Sequence, residues 1–272
     1  MPALPRIKPV YRTGVRSLST IIKTEVPTAS NGTITVLKFN RPEAKNAISL
    51  KLNDELRECV LDVATGRTNP QALILASNVP KIFCAGADLK ERRSFTPADT
   101  AAFLQQLNST LDILEDLEIP TLTAIDGLAL GGGLEIALAT DFRVLSTTSA
   151  VGLPETKLAI LPGAGGTKRL PKVVGHTRAL EAVLTGRRIP AEEALQWGLA
   201  TAVADDSLQK AIEIAQNICE GGPIGVRAAK KAVVGGTGAW AEAMYQRVLP
   251  TKDRIEALVA FAEKRKPNFK GE

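Results

Sequence analysis

Ile125-Asp126-Gly127-Leu128-Ala129-Leu130-Gly131-Gly132-Gly133-Leu134-Glu135-Ile136-Ala137-Leu138-Ala139 is the stretch on which the reading of this chain turns. Residues 121–125 follow Pro120, are apolar or β-branched, and predict a strand that ends here. Three glycines then open an apolar run over 132–139 that predicts a helix. Glycine lets another group approach the backbone closely. The unpaired N–H groups at a helix start, together with the positive end of its dipole, favour a negative oxygen. One charge, Glu135, stands inside this helix. The positions three and four residues away are Gly131, Gly132, Leu138 and Ala139, so no polar face receives it. Its carboxylate must face solvent, face a cleft, or carry a raised pKa, and residue types alone leave all three open.

Strand-like and helix-like stretches alternate on either side of this segment. Thr33–Phe39 alternates with period two, and 72–76 is apolar throughout, the pattern of a strand buried on both faces. Ser49 is a candidate N-cap for a helix to about residue 65, with Leu52, Leu56, Cys59, Val60 and Val63 on one face. A further helix is predicted over about 97–117, a strand over 141–145 and a helix over 176–185. This alternation predicts an α/β fold. From about Ser207 the pattern becomes helical, with segments at 207–219, about 224–233 and 252–265. Gly221-Gly222-Pro223 and Gly235-Gly236 separate them. An all-helical end on an α/β core points to a packing or assembly element.

Composition narrows the chemistry. With 272 residues, 44% hydrophobic and 23% charged, the chain is long enough for one sizeable core and has a globular balance. Cys59, Cys84 and Cys219 are scattered, without a CxxC pair, and His176 is the single histidine. A disulfide framework, a metal centre and a serine–histidine relay are thereby disfavoured. The work falls to carboxylates, lysines and backbone groups. The formal charge of +5 is local: residues 1–24 carry Arg6, Lys8, Arg12, Arg16 and Lys23 and no acid, and without them 29 basic face 29 acidic residues. That leader has the composition of a mitochondrial transit peptide. The neutral remainder poorly meets the charge requirement of nucleic-acid binding, so no RNA partner is expected. No apolar run has the length of a membrane span.

Three more segments have chemical potential. In Gly152-Leu153-Pro154-Glu155-Thr156-Lys157 a second carboxylate follows Glu135, and two carboxylates can divide general-acid and general-base roles. By spacing alone Glu155 reads better as a turn residue beside Pro154. Ile82-Phe83-Cys84-Ala85-Gly86-Ala87-Asp88-Leu89-Lys90-Glu91 sets small residues after a strand, either exposing amides beside the Lys90 cation or simply making a tight turn. Leu161-Pro162-Gly163-Ala164-Gly165-Gly166-Thr167-Lys168-Arg169 imitates a phosphate loop, but Arg169 stands where Ser or Thr is required.

Four ordered blocks, CAGADLKE (84–91), DGLALGGGLEIALATDFRV (126–144), GLPETKLAILPGAGGTKRLPK (152–172) and PTKDRIEALVAFAEKRKPNFKGE (250–272), resemble the enoyl-CoA hydratase/isomerase, or crotonase, family. The resemblance spans nearly all of 33–272. It implies a spiral of ββα turns over 25–205, a C-terminal helical trimerisation region over 206–272, and assembly as a trimer or a dimer of trimers. It further implies a hydro-lyase acting on an acyl-CoA substrate, with Glu135 and Glu155 catalytic and the Ala87 and Gly132 amides forming an oxyanion hole. By the same resemblance Ala85, Ala87, Asp88, Leu89 and Lys90 contact coenzyme A, and Lys264 reaches it from a neighbouring subunit. No cofactor and no metal is implied, since coenzyme A is part of the substrate. Within the family the blocks look most like the mitochondrial matrix enzymes that hydrate 3-methylglutaconyl-CoA in leucine breakdown. The nearest alternative is a short-chain enoyl-CoA hydratase of β-oxidation, then an isomerase. A non-catalytic or RNA-binding protein on the same fold is the alternative of another class. Arg92, Arg93 and Lys157 are the cations available for a distal substrate carboxylate.

Overall fold

The computed structural model describes residues 20–28 and 32–272. Strand β1 (Ile21–Pro27) pairs antiparallel with β2 (Thr33–Phe39). Helix α1 (Leu50–Ala64) comes next, and the Ser49 hydroxyl accepts from the Leu52 amide as its N-cap. From here the chain repeats one unit. β3 (Ala72–Ser77) and β4 (Ile82–Cys84) lead into the short α2 (Leu89–Arg92) and the long α3 (Pro97–Asp116). β5 (Thr121–Ile125) and β6 (Leu128–Leu130) lead into α4 (Gly132–Leu138). β7 (Phe142–Ser146) and β8 (Ala150–Gly152) lead through a 3-10 turn at Glu155–Leu158 into α5 (Gly166–Val174) and α6 (His176–Thr185).

The first strand of each unit joins one sheet and the second joins another. The larger sheet has the order β1-β2-β3-β5-β7-β10, with β10 at Ala202–Ala204, and is parallel from β2 onward. The smaller sheet runs β4-β6-β8-β9, with β9 (Ile189–Pro190) antiparallel at its edge and α7 (Ala191–Gln196) after it. Successive units therefore stack side by side, and the chain winds as a spiral of ββα turns, the architecture implied by the resemblance.

Period-two alternation explains why both faces of the larger sheet are apolar. Leu37, Phe39, Leu73 and Leu75 point into a core shared with α1, α3 and α4. Ile34, Val36, Ala72, Ile74, Leu122 and Ala124 point the other way, against Ala211, Ile212 and Ala215 of α8 (Ser207–Ile218). Of the region expected over 206–272, the first helix packs differently from the rest. Helix α8 covers the sheet and belongs to the core. The last three helices, α9 (Pro223–Gly235), α10 (Gly238–Val248) and α11 (Lys252–Ala262), lie outside it and leave many apolar side chains exposed.

The leader expected over 1–24 lies outside the described residues as far as 19. Its last positions are part of the folded core: Ile21 is fully buried in β1, and the Thr20 amide donates to Glu55 Oε2 at 2.9 Å. Lys23, the last basic residue of that segment, lies on the same strand and is ion-paired with Glu25 at 3.3 Å. No helix among the described residues is long and apolar enough to cross a membrane.

Candidate active site

The turns after β4 and β6 lie against each other because both strands are neighbours in the smaller sheet. Gly86 (φ 97°) comes so close to the β6–α4 turn that a β-carbon on it would meet the Leu130 carbonyl oxygen at 2.9 Å and the Gly132 nitrogen at 3.6 Å. Gly131 (φ 53°) turns the chain into α4, a conformation that side chains resist. Ile48 fastens the first turn by donating its amide to the Gly86 carbonyl and accepting from the Asp88 amide. Neither the Ala87 amide nor the Gly132 amide donates to a protein acceptor among the described residues. Two free N–H groups are thus left side by side at the cleft.

Glu135 lies one turn into α4 and is 3% exposed, so of the three environments open to it solvent is excluded, and it faces the cleft. Its Oε1 accepts from the Ala164 and Gly166 amides, each at 2.8 Å. Burial pushes its carboxyl up to about 7; the Gly166 and Ala164 hydrogen bonds oppose this, and the nearby Glu155 carboxylate adds to it. Glu155 opens the 3-10 turn after β8 and is 9% exposed. Its carboxyl is also pushed above the ordinary range by burial, and its Oε2 is buried without a hydrogen-bond partner. The two acids come from different turns of the spiral but flank consecutive glycines. A β-carbon on Gly131 would lie 2.9 Å from Glu155 Oε1, and one on Gly132 3.9 Å from Glu135 Oε2.

A cavity of about 210 Å³ opens over these groups, lined mainly by apolar residues such as Ile48, Leu104, Leu107, Leu158 and Leu161. Glu135, Glu155, Gly132, Ala85, Ala87 and Leu89 all line it. Three of the expected contact residues do not. Asp88 is occupied as the N-cap of α2, accepting from the Lys90 and Glu91 amides, and is ion-paired with Arg41 at 3.1 Å. Lys90 is exposed on the first turn of α2, away from the lining. Lys264 lies beyond the end of α11, also outside the lining.

Residue types did not mark the 162–166 loop as part of the site. It holds no phosphate-loop signature, yet its amides hold Glu135. Arg169 braces the loop: buried at 2% exposure, it donates to the Ala164 carbonyl at 3.0 Å and to Asp112 and Glu115 on α3. The run of glycines followed by a basic residue was the available signal. Arg92 also lines the cavity, whereas Arg93 and Lys157 do not.

The arrangement can polarise a carbonyl oxygen with two fixed amides and move protons with two buried carboxyls. Known proteins are similar to this chain throughout its described length. Residues 29–272 match the enoyl-CoA hydratase/isomerase family. An enoyl-CoA isomerase/hydratase of Zymoseptoria tritici is 50% identical over 280 residues, covering 96% of this chain and 91% of that protein. A mitochondrial methylglutaconyl-CoA hydratase of Pyricularia oryzae is 45% identical, covering 91% and 86%. The crystal structure of an enoyl-CoA hydratase from Bacillus anthracis superposes with a TM-score of 0.87 at 40% identity, over 93% of this chain and all of that one. With matching blocks, spiral and cleft, the chain belongs to the enoyl-CoA hydratase/isomerase family, whose members act on acyl thioesters of coenzyme A.

Proposed function

We propose that this enzyme adds water reversibly across the 2,3 double bond of an enoyl-CoA thioester, with 3-methylglutaconyl-CoA as substrate and 3-hydroxy-3-methylglutaryl-CoA as product. The observation that carries the hydratase reading is the pair of buried carboxyls, Glu135 and Glu155, set beside two free amides. The thioester oxygen accepts from the Ala87 and Gly132 amides, which stabilise the negative charge that develops there as the double bond is attacked. Glu135, in its ionised form and held by two amide donors, takes a proton from water as the water oxygen bonds to C3. Glu155 gives a proton to C2. No donor holds its Oε2, so it carries that proton without sacrificing a hydrogen bond. In the reverse direction Glu155 removes the C2 proton and Glu135 protonates the departing hydroxyl.

The substrate assignment is supported by the methylglutaconyl-CoA hydratase relatives, and a mitochondrial matrix location by their names and by the acid-free basic leader. A role in leucine breakdown goes with that substrate. Self-association as a trimer or dimer of trimers is supported by the exposed apolar side chains of α9–α11. Ala85 and Leu89 contact the coenzyme A portion. Steady-state kinetics with 3-methylglutaconyl-CoA and crotonyl-CoA test the substrate, and a strong crotonyl preference rejects it in favour of β-oxidation. Glu135→Gln and Glu155→Gln should each lower kcat at least about a hundredfold; near-normal turnover removes that residue from the mechanism. The isomerase reading, favoured by the name of the Zymoseptoria relative, predicts conversion of a 3-enoyl-CoA to the 2-enoyl isomer without net hydration.

A further inference from the structure

Arg92 ends α2 and lines the cleft together with the α3 residues Thr100, Leu104 and Leu107. Its guanidinium carbon lies 3.7 Å from the centroid of the Phe103 ring and 5.3 Å from that of Phe95, so it is clamped against aromatic faces. No carboxylate within ion-pair distance neutralises it among the described residues; on its own helix Asp88 is taken by Arg41, and Glu91 accepts from the Leu50 amide. Its Nε is buried with no hydrogen-bond partner. The two buried arginines among the described residues differ from this half-buried one. Arg143 donates to the Leu199 and Thr140 carbonyls, and Arg169 is paired with two acids. A buried donor left unpaired is costly, and burial already lowers the Arg92 pKa. Such a cation, fixed by packing at the wall of the cleft, is organised for an anion that arrives from outside.

We propose that Arg92 receives the distal carboxylate of a dicarboxylic acyl group, and so makes this cleft selective for acyl-CoA thioesters with a second, terminal negative charge. The inference rests on the acyl-thioester reading of the cleft and deepens it. The planar guanidinium suits a carboxylate. Of Arg92, Arg93 and Lys157, Arg92 is the one that reaches the lining. The leucine-rich walls around it favour the acyl end of a ligand over its phosphates.

Titration calorimetry with glutaryl-CoA and valeryl-CoA, acyl chains of equal length with and without the terminal carboxylate, tests this independently of which enoyl-CoA is turned over. The wild-type protein should bind glutaryl-CoA more tightly than valeryl-CoA. In Arg92→Met the ratio of the two affinities should fall at least about tenfold, the low end for losing a charge-assisted hydrogen bond. Arg92→Lys, which keeps the cation and guards against a packing defect, should retain part of the preference. An unchanged ratio overturns the proposal. That includes equal weakening toward both ligands, the result expected if Arg92 meets a coenzyme A phosphate or merely supports the fold. Failure of the wild-type protein to bind either thioester would instead overturn the acyl-CoA reading itself.

Discussion

Glu135 is buried by the same fold that hydrogen-bonds it, and burial is the larger effect. Its pKa rises from an ordinary 4.5 to about 7 on folding. Between those values the folded chain keeps a proton that the unfolded chain has released. The stability attached to this group is therefore full below about pH 4.5 and is lost as pH rises through 7, amounting to about 3 kcal/mol. Glu135→Gln removes that dependence. Urea denaturation should show the variant gaining on the wild type by that order between about pH 4.5 and pH 8, while a constant gap would mean that Glu135 titrates normally. This residue was legible in the sequence because a charge surrounded by Gly, Leu and Ala has no local exit to water. Glu155 was not legible in the same way. Its neighbours in sequence are ordinary turn residues, and its isolation comes from contacts with the β6–α4 turn, which only the fold supplies. The amides of Ala164 and Gly166 were hidden for the same reason, since a backbone donor leaves no trace in residue type.

At the scale of elements, the start of α4 depends on three glycines doing different things. Gly131 turns the backbone, Gly132 presents its amide to the cleft, and Gly133 lets the helix settle onto β4. A β-carbon on Gly133 would lie 2.5 Å from the Cys84 carbonyl oxygen and 2.8 Å from its β-carbon. Gly133→Ala must then push α4 away from β4, carrying the Gly132 amide with it. A loss of roughly 1–3 kcal/mol in stability is expected from such overpacking, together with a fall in kcat on any enoyl-CoA substrate. A wild-type urea midpoint and wild-type kcat in this variant would show that the contact yields at no cost. The long elements were readable: Thr33–Phe39, the helix begun by Ser49 and the helix opened by Gly132 all lie where periodicity and capping put them. The three-residue strands β4, β6 and β8 were not, because they are too short to show a period and are strands only by pairing with one another. Helix α10 was also missed. Its glycine-flanked Gly238–Val248 is weakly patterned and lies almost wholly at the surface.

At the scale of the whole molecule, the spiral buries both faces of its larger sheet, yet the last three helices leave an apolar surface uncovered. Val233, Val234, Tyr245, Ile255, Leu258 and Phe261 are all exposed, Phe261 by 86%. A single subunit gains nothing by showing water so many large apolar groups, and clusters of this kind mark interaction surfaces. The proposed self-association would cover them. Because Phe261 makes so little of its contact within the subunit, Phe261→Asp should change the stability of an isolated subunit by no more than about 0.5 kcal/mol. Placed in an apolar interface, the same carboxylate would be desolvated without a partner and would oppose assembly strongly. Sedimentation velocity separates these consequences. The wild-type protein should sediment as a trimer or larger, and the variant should shift toward the 28.9 kDa single chain while keeping its far-UV circular dichroism. A wild-type protein that sediments as a single chain, or a variant whose assembly is unchanged, would mean that this surface is not where the subunits meet.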